Sequence, residues 1–398
     1  MHEDPWITIV GLGEDGPGGL ADASRMAIEQ AEVIIGPPRH LGLLPETVAA
    51  QVPWPVPFSD GIELLRAYEG RKVVVLASGN PFWFGAGSII AKEFDEGAWT
   101  ALPAPSTFAH VAARLGWALE TTLRMGLHAA PLTRLRAHLA PGQRMIVLLR
   151  DGAAVTELMT YLKKTGFGES HVTVFEALNG PRERITELTG ELLETGFKAP
   201  VCAAIEVQGP GLGIPHVSGL PDDVFETDGV MTKRPMRALT LSALAPKPGE
   251  WLWDIGAGSG SIAIEWLLAH PSCRATAIET RTDRIALIRQ NAETLGVDRL
   301  QVVEGTAPDA LEALPEPDAV FIGGGLSMDL VAALRSRLKG GTRIVANGVT
   351  LETEAILSRL HAEIGGSLMR IDIAHAAPMG AKTGWKTTYP VVQWSAVL

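Results

Sequence analysis

The chain has 398 residues, 46% of them hydrophobic and 20% charged, and a formal net charge of −11. That length exceeds what one hydrophobic core usually serves, so two domains of roughly 200 residues are expected. No apolar run reaches the roughly 20 residues of a membrane span, and the acidic balance argues against a protein that grips nucleic acid by broad phosphate neutralisation. The two cysteines, Cys202 and Cys273, form neither a CxxC pair nor a Cys/His cluster, so neither a disulfide framework nor a metal site is expected. The opening "MHEDPWITIVGLG" carries acids where a secretory signal carries basic residues, which points to the cytoplasm.

In chain order, the first half alternates apolar strands with helical stretches: "WITIVGLG", "AEVIIG", "KVVVLASGNP", "RMIVLLRDG", "HVTVFEAL" and "PVCAAIEV". This spacing predicts an α/β fold, parallel in at least its first part. A smaller break at "LPAPSTF" (102–108), followed by a helix through "AHVAARLGWAL", predicts two subdomains with a cleft between them. Gly11, Gly13 and Gly16 of "VGLGEDG" spell GxGxxG. A dinucleotide cradle would also need an acid ending the second strand about 20 residues onward. That strand instead ends Gly36, Pro37, Pro38, Arg39, and Glu32 begins it, so the dinucleotide reading is disfavoured.

Between 209 and 221 seven of thirteen positions are Gly or Pro, which disfavours helix and strand alike. The predicted division is therefore a domain over 1–208, a linker over 209–222 and a domain over 223–398. Basic clusters at 132–139, 180–184 and 231–237 read first as solvated faces or loops, and second as local anion sites.

The second half presents five strand candidates, "WLWDIGAGSG", "RATAIET", "LQVVEGTA", "DAVFIGGG" and "TRIVANGV", each followed by a helical stretch. Right-handed crossovers make these one parallel sheet. "SLMRIDIAHA" and "YPVVQWSAV" then read as a terminal antiparallel hairpin. In "DIGAGSG" the segment Gly256, Ala257, Gly258, Ser259, Gly260 turns from strand to helix without side chains in a ligand's way, and Glu279 ends the next strand, where a carboxylate can take both ribose hydroxyls. Asp254 beside the loop suits an amino group better than a pyrophosphate, which favours S-adenosylmethionine over a dinucleotide. Gly323 and Gly324 of "FIGGG" admit a molecule close to the sheet edge, and no Asn/Asp-Pro-Pro-aromatic motif for methylating base amines is present, so carbon is the better acceptor.

These second-half motifs, with "MTKRPMRALTLSAL" before the sheet, resemble the decarboxylating corrin-ring methyltransferases of cobalamin biosynthesis, a branch of the class I methyltransferases. The resemblance covers 223–398 and implies a Rossmann-like fold with S-adenosylmethionine contacted by Thr232, 256–260, Glu279, Thr306 and Ala307; Thr306 stands where many relatives carry aspartate. The loops "LASGNPFWFGAG" and "PAPSTFAHVAARLGW" resemble the tetrapyrrole methylase family over 1–208. They imply a second S-adenosylmethionine site at Ser78, Gly79, Asn80, Pro81, Phe82, Ser106 and Thr107, with the Gly11–Gly13 loop on the substrate side. Asn80 replaces the family's common aspartate, and from the residues alone Ser106 and Thr107 would be helix N-caps.

Together the resemblances imply methylation of a tetrapyrrole at C5 by the first domain, decarboxylation of a ring acetate with methylation at C15 by the second, and a homo-oligomer. The substrate's carboxylates need cations, and Lys233, Arg234 and Arg237 are the candidates in the second domain. No side-chain nucleophile is demanded, since a reduced macrocycle offers its own nucleophilic carbons. The alternatives are a two-domain methyltransferase of RNA or protein, and a fusion in which one domain only binds S-adenosylmethionine or tetrapyrrole.

Overall fold

The computed structural model describes residues 5–190 and 195–398; the acids at positions 3 and 4 lie outside them. The chain separates into two compact units, one of Met1–Ala130 with Ala140–Leu212, the other of Pro131–Leu139 with Gly213–Leu398.

In the first unit β1 (Ile7–Leu12), β2 (Val33–Gly36), β3 (Ala50–Pro53), β4 (Val73–Ser78) and β5 (Trp99–Leu102) form a parallel sheet ordered β3-β2-β4-β1-β5. Helices α1 (Asp22–Glu29), α2 (Pro38–Leu41), α3 (Asp60–Arg66) and α4 (Gly87–Glu93) make the crossovers. The central strands are Val/Ile-rich because both faces are covered: Ile7, Ile9, Val33 and Val75 enter one core, Val10, Ile34, Val74 and Leu76 the other. After α5 (Thr107–Leu115) come β6 (Leu123–Gly126), β7 (Arg144–Leu149), α6 (Ala153–Lys164), β8 (His171–Glu176), β9 (Arg184–Thr189) and β10 (Val201–Glu206). They build a second sheet ordered β6-β7-β10-β8-β9, in which only β6 and β7 run parallel. The expected strands are all present. Strands β3, β5, β6 and β9 were not expected; β3 is largely exposed and β9 alternates, so neither carries a long apolar run.

The second unit opens with α7 (Arg234–Leu244) and continues β11 (Trp251–Ile255), α8 (Ser261–Ala269), β12 (Arg274–Glu279), α9 (Thr282–Thr294), β13 (Gln301–Glu304), β14 (Ala319–Ile322), α10 (Met328–Arg337), β15 (Arg343–Gly348) and α11 (Leu351–Ile364). It ends with β16 (Ser367–Ile371), β17 (Ala374–Met379), β18 (Lys382–Thr387) and β19 (Val391–Val397). One sheet runs β13-β12-β11-β14-β15-β19-β16, its first five strands parallel and β19 antiparallel to both neighbours. The expected terminal pair is β16 with β19. Two details differ from expectation: "SLMRIDIAHA" is split between β16 and β17, the latter pairing only with β18, and β13 is followed by a short 3-10 turn, Asp309–Leu311, instead of a helix. Among the described residues no helix is long and apolar enough to cross a membrane.

Candidate functional site

In the second unit, Ile255 pairs with Ile278 and Ile322, and Glu279 with Glu304, so the carboxyl ends of four adjacent strands finish level. Ligands of open α/β sheets bind beyond such edges. Gly256, Gly258 and Gly260 hold φ of 71°, 60° and 77°, a region that side-chain-bearing residues avoid. Gly256 is also closely packed, since a Cβ there would stand 2.8 Å from the Gly324 nitrogen. The loop is thereby held against β11, with the Gly256 N–H donating to Ile278 O at 2.9 Å and Gly323 N–H to Ile255 O at 2.9 Å.

Above this turn lies a cavity of about 310 Å³, within the usual size range of small-molecule sites. It brings together Thr232, Gly256, Ala257, Gly258, Ser259, Glu279, Thr306, Ala307, Gly323 and Gly324. The Glu279 carboxylate is nearly buried and aimed by backbone donors: Oε1 accepts from Thr280 N–H at 2.9 Å and Arg281 N–H at 3.1 Å, and Oε2 from Gly258 N–H at 2.9 Å. Ser259 Oγ is buried in the lining without a protein partner. A rigid acid, an open glycine backbone and a spare hydroxyl fit a nucleoside with a polar tail.

Other candidates fall outside the cavity lining. Gly260 is the left-handed N-cap of α8 and packs on Ile288. Asp254 is 1% exposed, and its Oδ2 accepts from Ala263 N–H at 3.1 Å in the first turn of α8. Burial, with the nearby Glu279 charge, pushes its carboxyl up to about 7 against the opposing pull of the Ala263 N–H. Its Oδ2 braces the first turn of α8, its Oδ1 is buried without a protein partner, and the residue is not among those lining the cavity. Lys233 and Arg234 are exposed at the start of α7 and are not among the lining residues, although the preceding Thr232 is. Arg237 corrects the expectation outright: it is fully buried, donating to Glu265 Oε1 at 2.8 Å, Asp222 Oδ1 at 2.7 Å, Thr232 O at 2.6 Å and Leu220 O. A guanidinium so committed stitches the pre-sheet segment and is not available to a substrate. Arg284 was not anticipated; it lines the cavity and pairs with Asp228 at 2.9 Å. Its only sequence signal is a cation in the first turn of the helix that follows Glu279.

In the first unit β1, β4 and β5 also finish together, with Leu12 opposite Ser78 and Val10 opposite Leu102. The loops there interlock: Gly79 N–H donates to Leu12 O and Ala104 N–H to Gly79 O, both at 3.1 Å. A Cβ on Gly11 would overlap the Gly79 carbonyl oxygen, and one on Gly79 would stand 2.8 Å from Pro105 O. Gly11, Gly79 and the 105–106 turn are thus one knot. A Cβ on Gly13 meets only the flexible Asp15 side chain. Asn80 Oδ1 accepts from Phe82 N–H at 2.9 Å, which forms the turn through Pro81 and leaves Phe82 half exposed. Ser106 caps α5 through Ala109 N–H at 3.2 Å, and Thr107 opens that helix.

Residues 7–193 match the family model described as Tetrapyrrole (Corrin/Porphyrin) Methylases, and 223–398 the Precorrin methyltransferase domain. A Sinorhizobium protein named precorrin-6Y C(5,15)-methyltransferase (decarboxylating) is 48% identical over 98% of this chain and 96% of its own length. The chain belongs to the precorrin-6Y C(5,15)-methyltransferase family. A Mycobacterium tuberculosis protein of the same name is 38% identical over 98% of this chain and 99% of its own. The crystal structure of the C-terminal domain of the Rhodobacter capsulatus precorrin-6Y C5,15-methyltransferase is 54% identical, covering 46% of this chain and all of that one, with a TM-score of 0.45. This family combines in one chain the two methyltransferase halves described above.

Proposed function

We propose that the protein methylates precorrin-6Y at C5 and C15 and decarboxylates its ring C acetate, giving precorrin-8 in cobalamin biosynthesis, with C5 served by the first unit and C15 by the second. The observation that carries this reading is the match to a decarboxylating C5,15-methyltransferase across 98% of the chain, both halves included. It disfavours an enzyme acting on RNA or protein. The protein is taken to work in the cytoplasm as a homo-oligomer, which cell fractionation and light scattering check.

S-adenosylmethionine, when bound, supplies an electrophilic methyl group on a sulfonium. In the second unit, Glu279 is the acceptor for ribose hydroxyls, since its backbone donors hold the carboxylate in place before any ligand arrives. Gly256, Gly258, Gly323 and Gly324 allow close approach at the sheet edge, while Thr232, Ser259, Thr306 and Ala307 complete the wall. In the first unit, Ser78–Phe82 and Ser106–Thr107 take the corresponding role, and Gly11 and Gly13 lie towards the tetrapyrrole. The acceptor carbons need no activation by a covalent enzyme intermediate, so these residues align and shield the reactants.

The test uses the full-length chain with precorrin-6Y and methyl-labelled S-adenosylmethionine, followed by mass spectrometry. The expected product has gained two methyl groups and lost one carboxyl group. Glu279→Ala is expected to stop C15 methylation while C5 methylation continues. No methyl gain by the wild-type chain, or equal loss at both carbons in Glu279→Ala, would overturn the proposal.

A further inference from the structure

The first unit holds a charged cluster beside the loop proposed for its cofactor, with no role assigned to its arginines so far. Glu14, in the first glycine loop, is 8% exposed. Two arginines from distant segments meet its carboxylate: Arg39, in α2 just beyond β2, and Arg182, in the turn between β8 and β9, at 3.4 Å. Arg39 Nη2 also lies 2.8 Å from His40 Nε2 and 3.1 Å from Ser78 Oγ. His40 is 1% exposed, and burial followed by the Arg39 charge pushes its imidazole down to about 3, so it is neutral and offers Arg39 an acceptor. The immediate cluster therefore has two guanidiniums for one carboxylate, a surplus of one positive charge.

Three features distinguish it from a surface ion pair. The carboxylate is buried, so the guanidiniums are held by a fixed anchor. Arg39 and Arg182 keep 36% and 59% of their side chains exposed, so donors remain on the open side. The cluster lies at the carboxyl edge of the parallel sheet and touches Ser78, the first residue of the loop proposed for the cofactor. A Cβ on Gly180 would stand 2.8 Å from Glu14 Cβ, so the turn bearing Arg182 packs directly on the first glycine loop.

We infer that Arg39 and Arg182, bridged by Glu14, form the receptor for a peripheral carboxylate of the tetrapyrrole in the first unit. This rests on the proposed function and adds to it the residues that orient the macrocycle for C5 methylation. Planar guanidiniums suit an acetate or propionate side chain. Glu14 keeps the two cations together, and the substrate carboxylate balances the surplus charge.

The experiment measures kcat and KM for C5 methylation by the full-length protein, with C15 methylation in the same chain as the internal reference and adenosylhomocysteine affinity as the cofactor reference. Arg182→Ala is expected to raise KM for C5 methylation about tenfold, the scale of one charged hydrogen bond lost. C15 methylation of a C5-methylated substrate and adenosylhomocysteine affinity should stay within about twofold. Arg182→Lys should recover part of the KM, and the wild-type KM should rise with salt more steeply than that of Arg182→Ala. Because Arg39→Ala leaves the buried Glu14 carboxylate poorly compensated and so costs stability as well as binding, Arg39→Lys with a melting curve is its companion. A KM for C5 methylation unchanged in both Arg182→Ala and Arg39→Lys, in well-folded proteins, overturns the receptor. Wild-type protein that does not methylate the tetrapyrrole at all instead overturns the functional reading beneath it.

Discussion

The two glycine loops look alike in sequence and use glycine for different reasons. In 256–260 all three glycines hold positive φ, so the backbone itself is turned to open a cavity. In the first loop only Gly16 does, with φ of 57°, while Gly11 is required because the Gly79 carbonyl occupies the place of its side chain. One loop lines a cavity. The other makes room for a neighbouring loop and carries Glu14 to its arginines. A glycine spelling therefore identifies a site only when the conformation and the neighbouring acid agree with it.

Substitutions at these glycines should separate the two uses most sharply. Gly256→Val combines a left-handed backbone, about 1–2 kcal/mol for a side-chain-bearing residue, with overlap on the Gly324 backbone, about 1–3 kcal/mol more. We expect adenosylhomocysteine affinity in the second unit to fall at least a hundredfold and C15 methylation to cease, with C5 methylation intact. Gly13→Ala meets only the Asp15 side chain, so stability should change by less than about 1 kcal/mol and adenosylhomocysteine affinity in both units should hold. A null result at Gly256, or a large one at Gly13, measured by calorimetry and product analysis, breaks the contrast.

A second contrast concerns buried charge. Arg237 with Glu265 and Asp222 is a saturated anchor, whereas the Arg39–Arg182 cluster retains exposed donors. Arg237→Ala leaves the Glu265 carboxylate buried without its cation, for which a loss of about 3–5 kcal/mol is usual. The melting temperature should drop accordingly, and activity at low temperature should fall only with the folded fraction. A selective rise in KM without loss of stability would return Arg237 to the substrate site.

The units also carry buried titratable groups of opposite sign. Asp254, held near 7 against an ordinary 3.8, keeps a proton that the unfolded chain releases. Its contribution to stability therefore declines as pH rises from about 4 to about 7 and is level above that. His40, held near 3 against 6.5, stays neutral while the unfolded chain takes up a proton. Its contribution is complete above about 6.5 and is lost as pH falls towards 3. Comparing denaturation of the wild type with Asp254→Asn and His40→Gln between pH 4 and 7.5 should give difference curves of opposite slope, each on the order of a few kcal/mol. Parallel slopes would contradict the assigned burial.

The class I sheet was legible because its central strands are buried on both faces and read as apolar runs ending in glycine or acid. Strand β3 was not, since its residues are mostly exposed and its place depends on pairing with β2. The β17–β18 hairpin escaped for the same reason, with Trp385 78% exposed and pairing confined to the hairpin itself. Within the site, glycines and Glu279 were legible from local order along the chain. Arg237 was misread because its partners come from two separate segments, Leu220 O and Asp222 before the sheet and Glu265 in α8, and only the fold reveals that its donors are spent. Arg39 and Arg182 stand 143 positions apart in the chain, so only the fold could bring both to Glu14.

The smallest expected effect tests how each unit caps the helix beside its site. Helix α8 begins on Gly260 with no side-chain cap, and Asp254 reaches over from β11 to take the Ala263 N–H. Helix α5 is capped by its own Ser106, which takes the Ala109 N–H. Ser106 therefore has two possible duties, a fold duty that is visible and a ligand duty that is proposed, and Asn separates them because it caps about as well as Ser. Ser106→Ala should cost about 1 kcal/mol of stability, and Ser106→Asn should restore it. If Ser106 also contacts the cofactor, Ser106→Asn should still weaken adenosylhomocysteine binding in the first unit by a few fold in titration calorimetry. Wild-type affinity in Ser106→Asn would assign the hydroxyl to the helix alone and remove it from the proposed site.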